Sequence, residues 1–387
     1  MLDFAGSWKQ FTTSTFTLQI SQETGHMKKV LFVAQDAAPS RAFQRFAPAL
    51  TEAGFGVELI VADGKTFPTI DGGMSRKVGS ADLLVIGMSS RPEYATDELF
   101  AAKQAIKSGV PLACYGDVPG CHVRHAFWGN DISRELSLYL GYNQAEEDGV
   151  RKSFPNARFR AIGNPLREEM AFARYTREEV RLRLGVTPDD KVILVGGGKS
   201  PYSNMVRIGL VLETMNMLDG FRKTPIKVLL SLHPGDKAPV SNYDEIVKES
   251  PVPFRIAESI KGKFETSDMI GGADLVFCGL TGSTAIEAAY KRIPVIQTGG
   301  EIELVKLFKE TGSRTPEAVA VGASLFCNGG NCGLDLVRAM DLIWGTGVGA
   351  SLMNDQASAY PIPQRVGQAT ENAVNVIREF LEVPAMA

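Results

Sequence analysis

The turn between an apolar run and a helical pattern carries four small or hydroxylated residues in a row. The stretch DLVFCGLTGSTAIEAAYKRIPVIQTGG begins at Asp274, and its turn comprises Thr281, Gly282, Ser283 and Thr284. The first N–H groups of a helix have no partners within the helix, and the helix dipole makes this end positive. Backbone N–H groups and hydroxyls without bulky neighbours suit a phosphate group, so the turn is a candidate phosphate cradle.

Glu287 lies three residues beyond Thr284, where its carboxylate could close a capping box or accept a hydrogen bond from a ribose hydroxyl. A plain helix start accounts for the same residues, because Ser, Thr and Gly are favoured wherever a strand turns into a helix. The segment by itself therefore leaves two interpretations open, a nucleotide-binding turn and an ordinary helix cap.

Two further strand ends in the second half of the chain carry similar residues. VGGGKSPYSN brings Gly197, Gly198 and Lys199 between an apolar run and a helical pattern, and SLHPGD places His233 at the end of another run. Glycines allow a ligand to approach closely, and Lys199 adds positive charge. The chain has neither G-x-x-x-x-G-K-[ST] nor G-x-G-x-x-G, which disfavours NAD binding. Three polar strand ends that can face one cleft favour a ligand with phosphate groups.

Short apolar runs alternate with amphipathic stretches along the chain, a pattern typical of a parallel sheet wrapped by helices. The first set of runs is KKVLFVA, GVELIVA, ADLLVIG, VPLACY, RELSLYLGYN and ARFRAIG, and the second is KVILVGGG, IKVLLSLHP, PFRIAE, DLVFCG and PVIQTGG. We therefore predict an α/β fold of two Rossmann-like, doubly wound domains that face a cleft. The carboxyl ends of the strands would line that cleft, which is the usual ligand site of such folds.

The pattern divides the chain into five parts. We expect an extension over 1–26 that could be disordered, a first domain over 27–166, a linker over 167–190, a second domain over 191–362, and a C-terminal helix within 363–387 that packs back. The stretch FCNGGNCGLDLVRAMDLIWGTGVGASLMNDQ, which begins at Phe326, could be an insertion that shapes the mouth of the site.

The composition is that of a globular protein, with 44% of the 387 residues hydrophobic and 22% charged. The net charge of -3 gives no reason to expect a nucleic-acid partner or a general affinity for anionic membranes. No run approaches the roughly 20 apolar residues of a membrane-spanning helix. Five cysteines, an odd number, and the lack of a basic, apolar leader favour reduced thiols in the cytoplasm. No paired Cys/His spacing indicates a metal site.

The stretch GADLVFCGLTGSTAIEAAYKRIPVI resembles the donor half of GT-B glycosyltransferases. RFRAIGNPLRE resembles the GNP segment with which many of these enzymes leave their first domain, and the GS…E…PVI pattern also resembles UDP-N-acetylglucosamine 2-epimerases. The resemblance covers residues 28–380 in layout and is most specific at 163–165 and 274–298. It implies transfer of a sugar from a nucleotide-diphosphate sugar to a sugar or lipid acceptor, with no cofactor and no dedicated metal site.

The resemblance also implies roles for individual residues. Gly282, Ser283 and Thr284 would bind the donor's diphosphate, and Glu287 would bond its ribose. Four residues at the other two strand ends would lie around the phosphates, the base and the acceptor: Gly197, Gly198, Lys199 and His233.

Transfer with inversion needs a general base for the acceptor hydroxyl, and that base should come from the first half, across the cleft from the donor. Asp117 and His122 follow the fourth strand in YGDVPGCHVRH, and Asp36 follows the first strand in AQDAAPSR. Arg124 could hold an anionic acceptor or a phosphate. Helix capping and solvated surface charge account for the same residue types, so the sequence leaves the choice of base open.

Three functions stay open at this point: a glycosyltransferase, an epimerase or hydrolase of nucleotide sugars, and a protein that only binds the nucleotide. AQDAAPSRAF stands where the family has a glycine-rich acceptor loop, which leaves the acceptor undetermined. The short HPGDKAP segment weakens the epimerase case, because epimerases carry an extended charged run there. The sequence does not fix the oligomeric state, and a lipid acceptor would bring a peripheral membrane contact.

Overall fold

The computed structural model describes fifteen stretches of the chain: 27–61, 72–89, 95–124, 127, 131–198, 200–217, 226–233, 236, 238–250, 252–257, 263–280, 283–311, 313–328, 332–345 and 347–382. The predicted N-terminal extension lies outside the described residues. So do Lys199, Thr281 and Gly282, three of the candidate site residues.

The first half of the chain forms one sheet with six strands. Its elements are β1 (Lys29–Ala34), α1 (Ala37–Glu52), β2 (Gly56–Val61), α2 (Gly72–Gly79), β3 (Leu83–Gly87), α3 (Thr96–Ser108), β4 (Leu112–Tyr115), α4 (Asp131–Glu135), β5 (Leu136–Gly141), α5 (Glu147–Ser153) and β6 (Arg158–Ala161). The strand order is β2-β1-β3-β4-β5-β6, and every pair is parallel. Helices cover both faces, which explains why β1, β3 and β4 are continuous apolar runs.

The rest of the chain begins with two helices that lead out of the first half, and it builds another sheet with six strands. Its elements are α6 (Pro165–Ala171), α7 (Arg177–Arg183), β7 (Lys191–Gly196), α8 (Pro201–Met217), β8 (Ile226–Ser231), α9 (Asp244–Glu249), β9 (Phe254–Ala257), α10 (Thr266–Ile270), β10 (Leu275–Gly279), α11 (Thr284–Tyr290), β11 (Val295–Gly299), α12 (Glu301–Thr311), α13 (Glu317–Ala320), β12 (Leu325–Asn328), α14 (Cys332–Gly345), α15 (Val348–Ala359) and α16 (Gln368–Glu382). The strand order is β12-β11-β10-β7-β8-β9, again all parallel. The two parallel sheets confirm the predicted doubly wound architecture.

Helix α16 crosses back to the first half. Ala373, Val374 and Ile377 pack in the core that contains Phe32 and Phe43 of the first sheet. Helix α7, which follows the GNP segment, packs on the second sheet instead, because its Val180 and Leu184 belong to a core of that sheet. The two halves are therefore joined by α6 and by the return of α16.

The segment that follows Phe326 is not an insertion at the mouth of the site. Its first residues belong to β12, which pairs with β11 and forms the edge of the second sheet. Leu336 and Met340 of α14 then pack with Ile208 of α8 in a core of that sheet. The prediction was wrong here because the four-residue strand LFCN ends in Asn and the sequence continues with two glycines, residue types that are typical of a loop.

Candidate active site

A cavity of about 620 Å³ lies between the carboxyl ends of the two sheets. Its lining combines the turn after β4, the start of α5 and α6 from one side with β11, α11, α12 and α13 from the other. Apolar side chains such as Val118, Leu166, Leu280, Ile286 and Leu307 make up much of the wall. Polar side chains from both halves reach the same space, as expected for a ligand site between two such domains.

Asp117 and Arg124 lie in the turn after β4 and line the cavity. Both are buried, and Asp117 Oδ1 lies 3.6 Å from Arg124 Nη1. The Cys121 thiol donates to the same carboxylate oxygen over 3.4 Å. The carboxylate thus compensates a buried guanidinium, which would be costly to bury alone. Arg124, which was predicted to hold an anionic acceptor or a phosphate, is paired with Asp117 in the structure.

His122 lies in the same turn and also lines the cavity. Its ring packs on Gly149 of α5, where an added Cβ would lie 2.4 Å from Nε2. Burial lowers the pKa of His122 below its ordinary value of 6.5, so the imidazole is neutral at pH 7. Its Nδ1 is buried and has no hydrogen-bond partner among the described residues. A neutral imidazole with an unpaired nitrogen is chemically suited to proton transfer.

Glu146 is a cavity residue that the sequence analysis missed. Its carboxylate accepts hydrogen bonds from the backbone N–H groups of Gly120 (3.2 Å) and Tyr142 (2.8 Å). Burial raises the pKa of Glu146 to about 7, although these backbone bonds oppose the rise. The only sequence signal was Asn143 three residues before, which resembles a capping box and gives no hint of a cavity.

Ser283 opens α11 and is the one described residue of the predicted phosphate cradle that lines the cavity. Its hydroxyl donates to Glu287, which is buried. Thr284 faces the second sheet instead, since a Cβ added at Gly196 would lie 2.9 Å from its methyl group. Neither Glu287 nor Thr284 lines the cavity.

The glycine-rich strand end after β7 is closed by hydrogen bonds within the chain. Gly197 donates its N–H to the carbonyl of Ser231 (2.9 Å), and Gly198 donates to Asn204 Oδ1 (2.7 Å). A Cβ at Gly197 would lie 2.7 Å from the Ser231 carbonyl oxygen, so close backbone packing requires glycine there. Gly197, Gly198 and the neighbouring His233 are not part of the cavity wall.

Asp36 lies at the start of α1 and accepts a hydrogen bond from the backbone N–H of Ala37. It does not line the cavity, although Ala38 does. Among the predicted site residues that the structure describes, four line the cavity: Asp117, His122, Arg124 and Ser283.

Arg167 and Glu317 join the two halves at the cavity and were not recognised from the sequence. Two hydrogen bonds of 2.8 and 3.0 Å connect the Arg167 guanidinium of α6 to the Glu317 carboxylate of α13. The guanidinium also lies 4.4 Å from the centre of the Tyr142 ring, and the hydroxyls of Tyr142 and Tyr290 are 3.3 Å apart. These pairs fix how the first-half turn faces the second half.

Several residues that line the cavity have a buried polar atom without a partner, as do residues elsewhere in the described part of the chain. Within the part of the chain that the structure describes, His122 Nδ1, Arg124 Nε and Gln297 Oε1 have no hydrogen-bond partner, and all three residues line the cavity. Buried polar groups are nearly always paired in folded proteins, because leaving one unpaired costs about 1–3 kcal/mol. These three atoms have almost no accessible surface, so a ligand in the cavity reaches them only after the side chains rearrange.

Over the described ranges, no group of three or more His, Cys, Asp or Glu side chains could hold a metal ion. Every helix in those ranges is too short or too polar to span a lipid bilayer.

Neither a protein-family model nor a curated protein sequence matches the chain. Solved structures do match its fold. MurG of Acinetobacter baumannii superposes with a TM-score of 0.59 at 13% identity, over 92% of this chain and 100% of that one. A UDP-GlcNAc 2-epimerase of Methanocaldococcus jannaschii, solved with UDP-GlcNAc and UDP, gives 0.53 at 15% over 92% and 100%. A UDP-glucosyltransferase of Polygonum tinctorium gives 0.56 at 9% over 92% and 99%.

These similarities confirm the GT-B-type fold that the sequence resemblance implied. At 9–15% identity they establish the fold alone.

Proposed function

We propose that the protein is a glycosyltransferase that moves a sugar from a nucleotide-diphosphate sugar to an acceptor hydroxyl. One observation carries the proposal: a single cavity joins His122 and Asp117 of the first half to Ser283 and Gln297 of the second. Acid–base groups thus face a hydroxyl-bearing turn across a space of about 620 Å³, large enough for a sugar and part of an acceptor.

We assign binding of the donor nucleotide sugar to the second half of the chain. Ser283 offers a hydroxyl at the cavity wall, and this hydroxyl can turn from its present partner Glu287 to donate to a ligand. The fold likeness to an epimerase solved with UDP-GlcNAc and UDP supports a nucleotide sugar as the ligand. The nucleotide would lie at the carboxyl edge of β7 and β10, where the strand order of the second sheet reverses.

His122 is assigned as the general base. Because burial lowers its pKa, the imidazole is unprotonated at neutral pH and can accept the proton of the acceptor hydroxyl. The acceptor oxygen then forms a bond to the anomeric carbon, while the bond from that carbon to the diphosphate breaks and the nucleoside diphosphate leaves with the electron pair. Asp117 and Arg124 form an ion pair beside His122 and hold the turn in place.

Isomerisation of the same nucleotide sugar is the second candidate. The observation in its favour is that Asp117, His122 and Glu146 give the first-half wall several titratable groups, whereas transfer needs one base. An epimerase is also among the proteins of similar fold.

Incubation with UDP- and GDP-sugars in the presence of sugar and lipid acceptors tests the proposal. A glycosyltransferase releases the nucleoside diphosphate and forms a glycosylated acceptor, and His122→Gln should abolish this release while nucleotide binding persists. An epimer formed without nucleotide release would favour the second candidate. Nucleotide binding without any turnover would instead indicate a binding protein.

A further inference from the structure

Apolar side chains from both halves of the chain form much of the cavity wall. Val118 in the turn after β4 and Leu166 of α6 lie on one side, and Leu307 of α12 and Val321, which follows α13, lie on the other. Val118 and Leu166 are half-buried and Val321 is 47% exposed, so these side chains keep accessible surface while the cavity is empty. A molecule in the cavity therefore meets apolar surface from both halves.

The charged side chains of the wall already have partners within the chain. Arg124 Nη1 lies 3.6 Å from Asp117 Oδ1, and the Arg167 guanidinium bonds Glu317 over 2.8 and 3.0 Å. The carboxylate of Glu146 accepts from two backbone N–H groups over 3.2 and 2.8 Å. In the stretches that the structure describes, no arginine or lysine of the wall is left for an anionic group.

Such a wall favours an uncharged, apolar ligand over a charged one. An anionic group would lose its hydration without gaining a counter-charge, and taking an unpaired ion out of water is costly. An apolar group gains instead, because its burial is favourable roughly in proportion to the area removed from water. The cavity volume of about 620 Å³ is in the usual range for small-molecule sites.

The donor's diphosphate does not have to enter this apolar space. The nucleotide is assigned above to the carboxyl edge of β7 and β10, and Gly197 and Gly198 after β7 are not part of the cavity wall. Only the donor sugar would reach the cavity, at Ser283, which leaves the apolar part of the wall to the other substrate.

We infer that this part of the cavity holds the acceptor, and that the acceptor is an uncharged molecule with an apolar body and a reactive hydroxyl. The inference rests on the proposed function and specifies its acceptor. The hydroxyl would lie at His122, which takes its proton while the oxygen bonds to the anomeric carbon and the nucleoside diphosphate leaves. Naphthol is a simple compound of this class.

Three test compounds separate an apolar acceptor from an anionic one and from a sugar. Naphthol is uncharged and apolar, hydroxynaphthoate adds a carboxylate to the same rings, and N-acetylglucosamine has hydroxyls without an apolar body. Calorimetry with the full-length wild type should show that naphthol binds and that hydroxynaphthoate and the sugar bind at least about tenfold more weakly. Equal or tighter binding of either compound, or no binding of naphthol, would overturn the inference.

Two leucine variants locate the bound naphthol. Leu166 and Leu99 are both half-buried and near the start of a helix, and only Leu166 lines the cavity. Leu166→Asp adds a carboxylate to the wall and should weaken naphthol binding by about tenfold, whereas Leu99→Asp should bind as the wild type does. Urea unfolding of both variants checks that they fold. Wild-type naphthol affinity in folded Leu166→Asp would overturn the inference.

Transfer assays distinguish failure of the inference from failure of the proposed function. With a UDP- or GDP-sugar, the wild type should glycosylate naphthol at least about tenfold faster than hydroxynaphthoate. Glycosylation of sugar or anionic acceptors, with naphthol neither bound nor glycosylated, would overturn the inference and leave the proposed function standing. Naphthol binding without consumption of any nucleotide sugar would overturn the proposed function, and the acceptor role with it.

Discussion

Asn164 Nδ2 donates a hydrogen bond of 2.7 Å to the backbone carbonyl of Asp117. The same side chain begins α6, because its Oδ1 accepts from the N–H of Leu166 over 2.9 Å. One buried amide therefore ties the turn after β4 to the helix that leads into the second half. This double role gives a physical reason for Asn in the GNP segment: its side chain both donates and accepts.

Asn164→Asp separates the two roles. The carboxylate keeps the acceptor for Leu166 but loses the donor to the Asp117 carbonyl, so we expect turnover to fall at least tenfold while UDP affinity stays within twofold. Asn164→Ala loses both bonds and should also lower the free energy of unfolding by about 1–3 kcal/mol. Steady-state kinetics and urea unfolding measure the two effects. Equal turnover in wild type and Asn164→Asp would show that the carbonyl bond does not position the turn.

The lowered pKa of His122 predicts how kcat/KM depends on pH on the acid side of neutrality. Burial lowers its pKa below 6.5, and a base works only when unprotonated, so kcat/KM should fall with decreasing pH only below pH 6.5. His122→Gln should lower kcat by about 100- to 10,000-fold and remove this limb. A limb that persists unchanged in the variant would assign the proton transfer to another group, with Asp117 and Glu146 as the next residues to replace.

The Arg167–Glu317 pair should contribute more to stability than an exposed pair. Arg167→Met leaves the Glu317 carboxylate without its guanidinium partner in a mostly buried space. Removal of one partner of such a pair lowers the free energy of unfolding by about 3–5 kcal/mol. Arg151→Met breaks the exposed pair with Glu147 and should cost less than about 1 kcal/mol. Chemical unfolding of both variants, together with the double variant Arg167→Met/Glu317→Gln, measures the difference. Similar small losses for both single variants would mean that the buried pair does not hold the halves together.

Glu98 gives a pH dependence of stability that is separate from the cavity. It is fully buried, and its carboxylate accepts from the backbone N–H groups of Gln35 and Ser89. Burial raises its pKa from 4.5 to about 8, so the folded protein holds a proton that the unfolded chain releases. Its contribution is therefore fully present below pH 4.5 and is lost as the pH rises to about 8.

Glu98→Gln cannot titrate, so its unfolding free energy should lack this part of the decrease between pH 4.5 and 8. Guanidinium unfolding at several pH values compares it with the wild type. Parallel curves for the two proteins would show that Glu98 ionises equally in the folded and unfolded states.

The strands were predictable because a strand that is buried on both faces is an uninterrupted run of apolar residues. Runs such as Leu83–Gly87 are apolar throughout, and residue type alone indicates them. The strand β12 was missed, since its four residues, Leu325–Asn328, carry little such signal. Its place at the sheet edge depends on pairing with β11, a tertiary contact.

The candidate site was predictable only in part. Asp117, His122, Arg124 and Ser283 were found because polar residues at strand ends are conspicuous. Gly197 and Gly198, which follow β7, were predicted to contact a ligand. In the structure, the N–H of Gly198 instead donates a hydrogen bond to Asn204, six residues further along the chain.

Three other residues that line the cavity gave no signal in the sequence. Arg167 and Glu317 are 150 positions apart, so no local pattern could pair them. The unpaired oxygen of Gln297 likewise follows from contacts that only the folded chain makes. The local sequence indicates where strands end. It does not indicate which backbone groups already have hydrogen-bond partners in the folded chain.

The central claim is that the cavity between the two sheets binds a nucleotide sugar through Ser283. Thermal unfolding with and without millimolar UDP-sugar tests it directly, because a ligand that binds only the folded state raises the melting temperature, and the rise grows with the logarithm of its concentration divided by its Kd. We predict a clear rise for the wild type and a smaller one for Ser283→Ala, with exposed Ser351→Ala behaving as wild type. No rise with any UDP- or GDP-sugar, or an equal rise in Ser283→Ala, would contradict it.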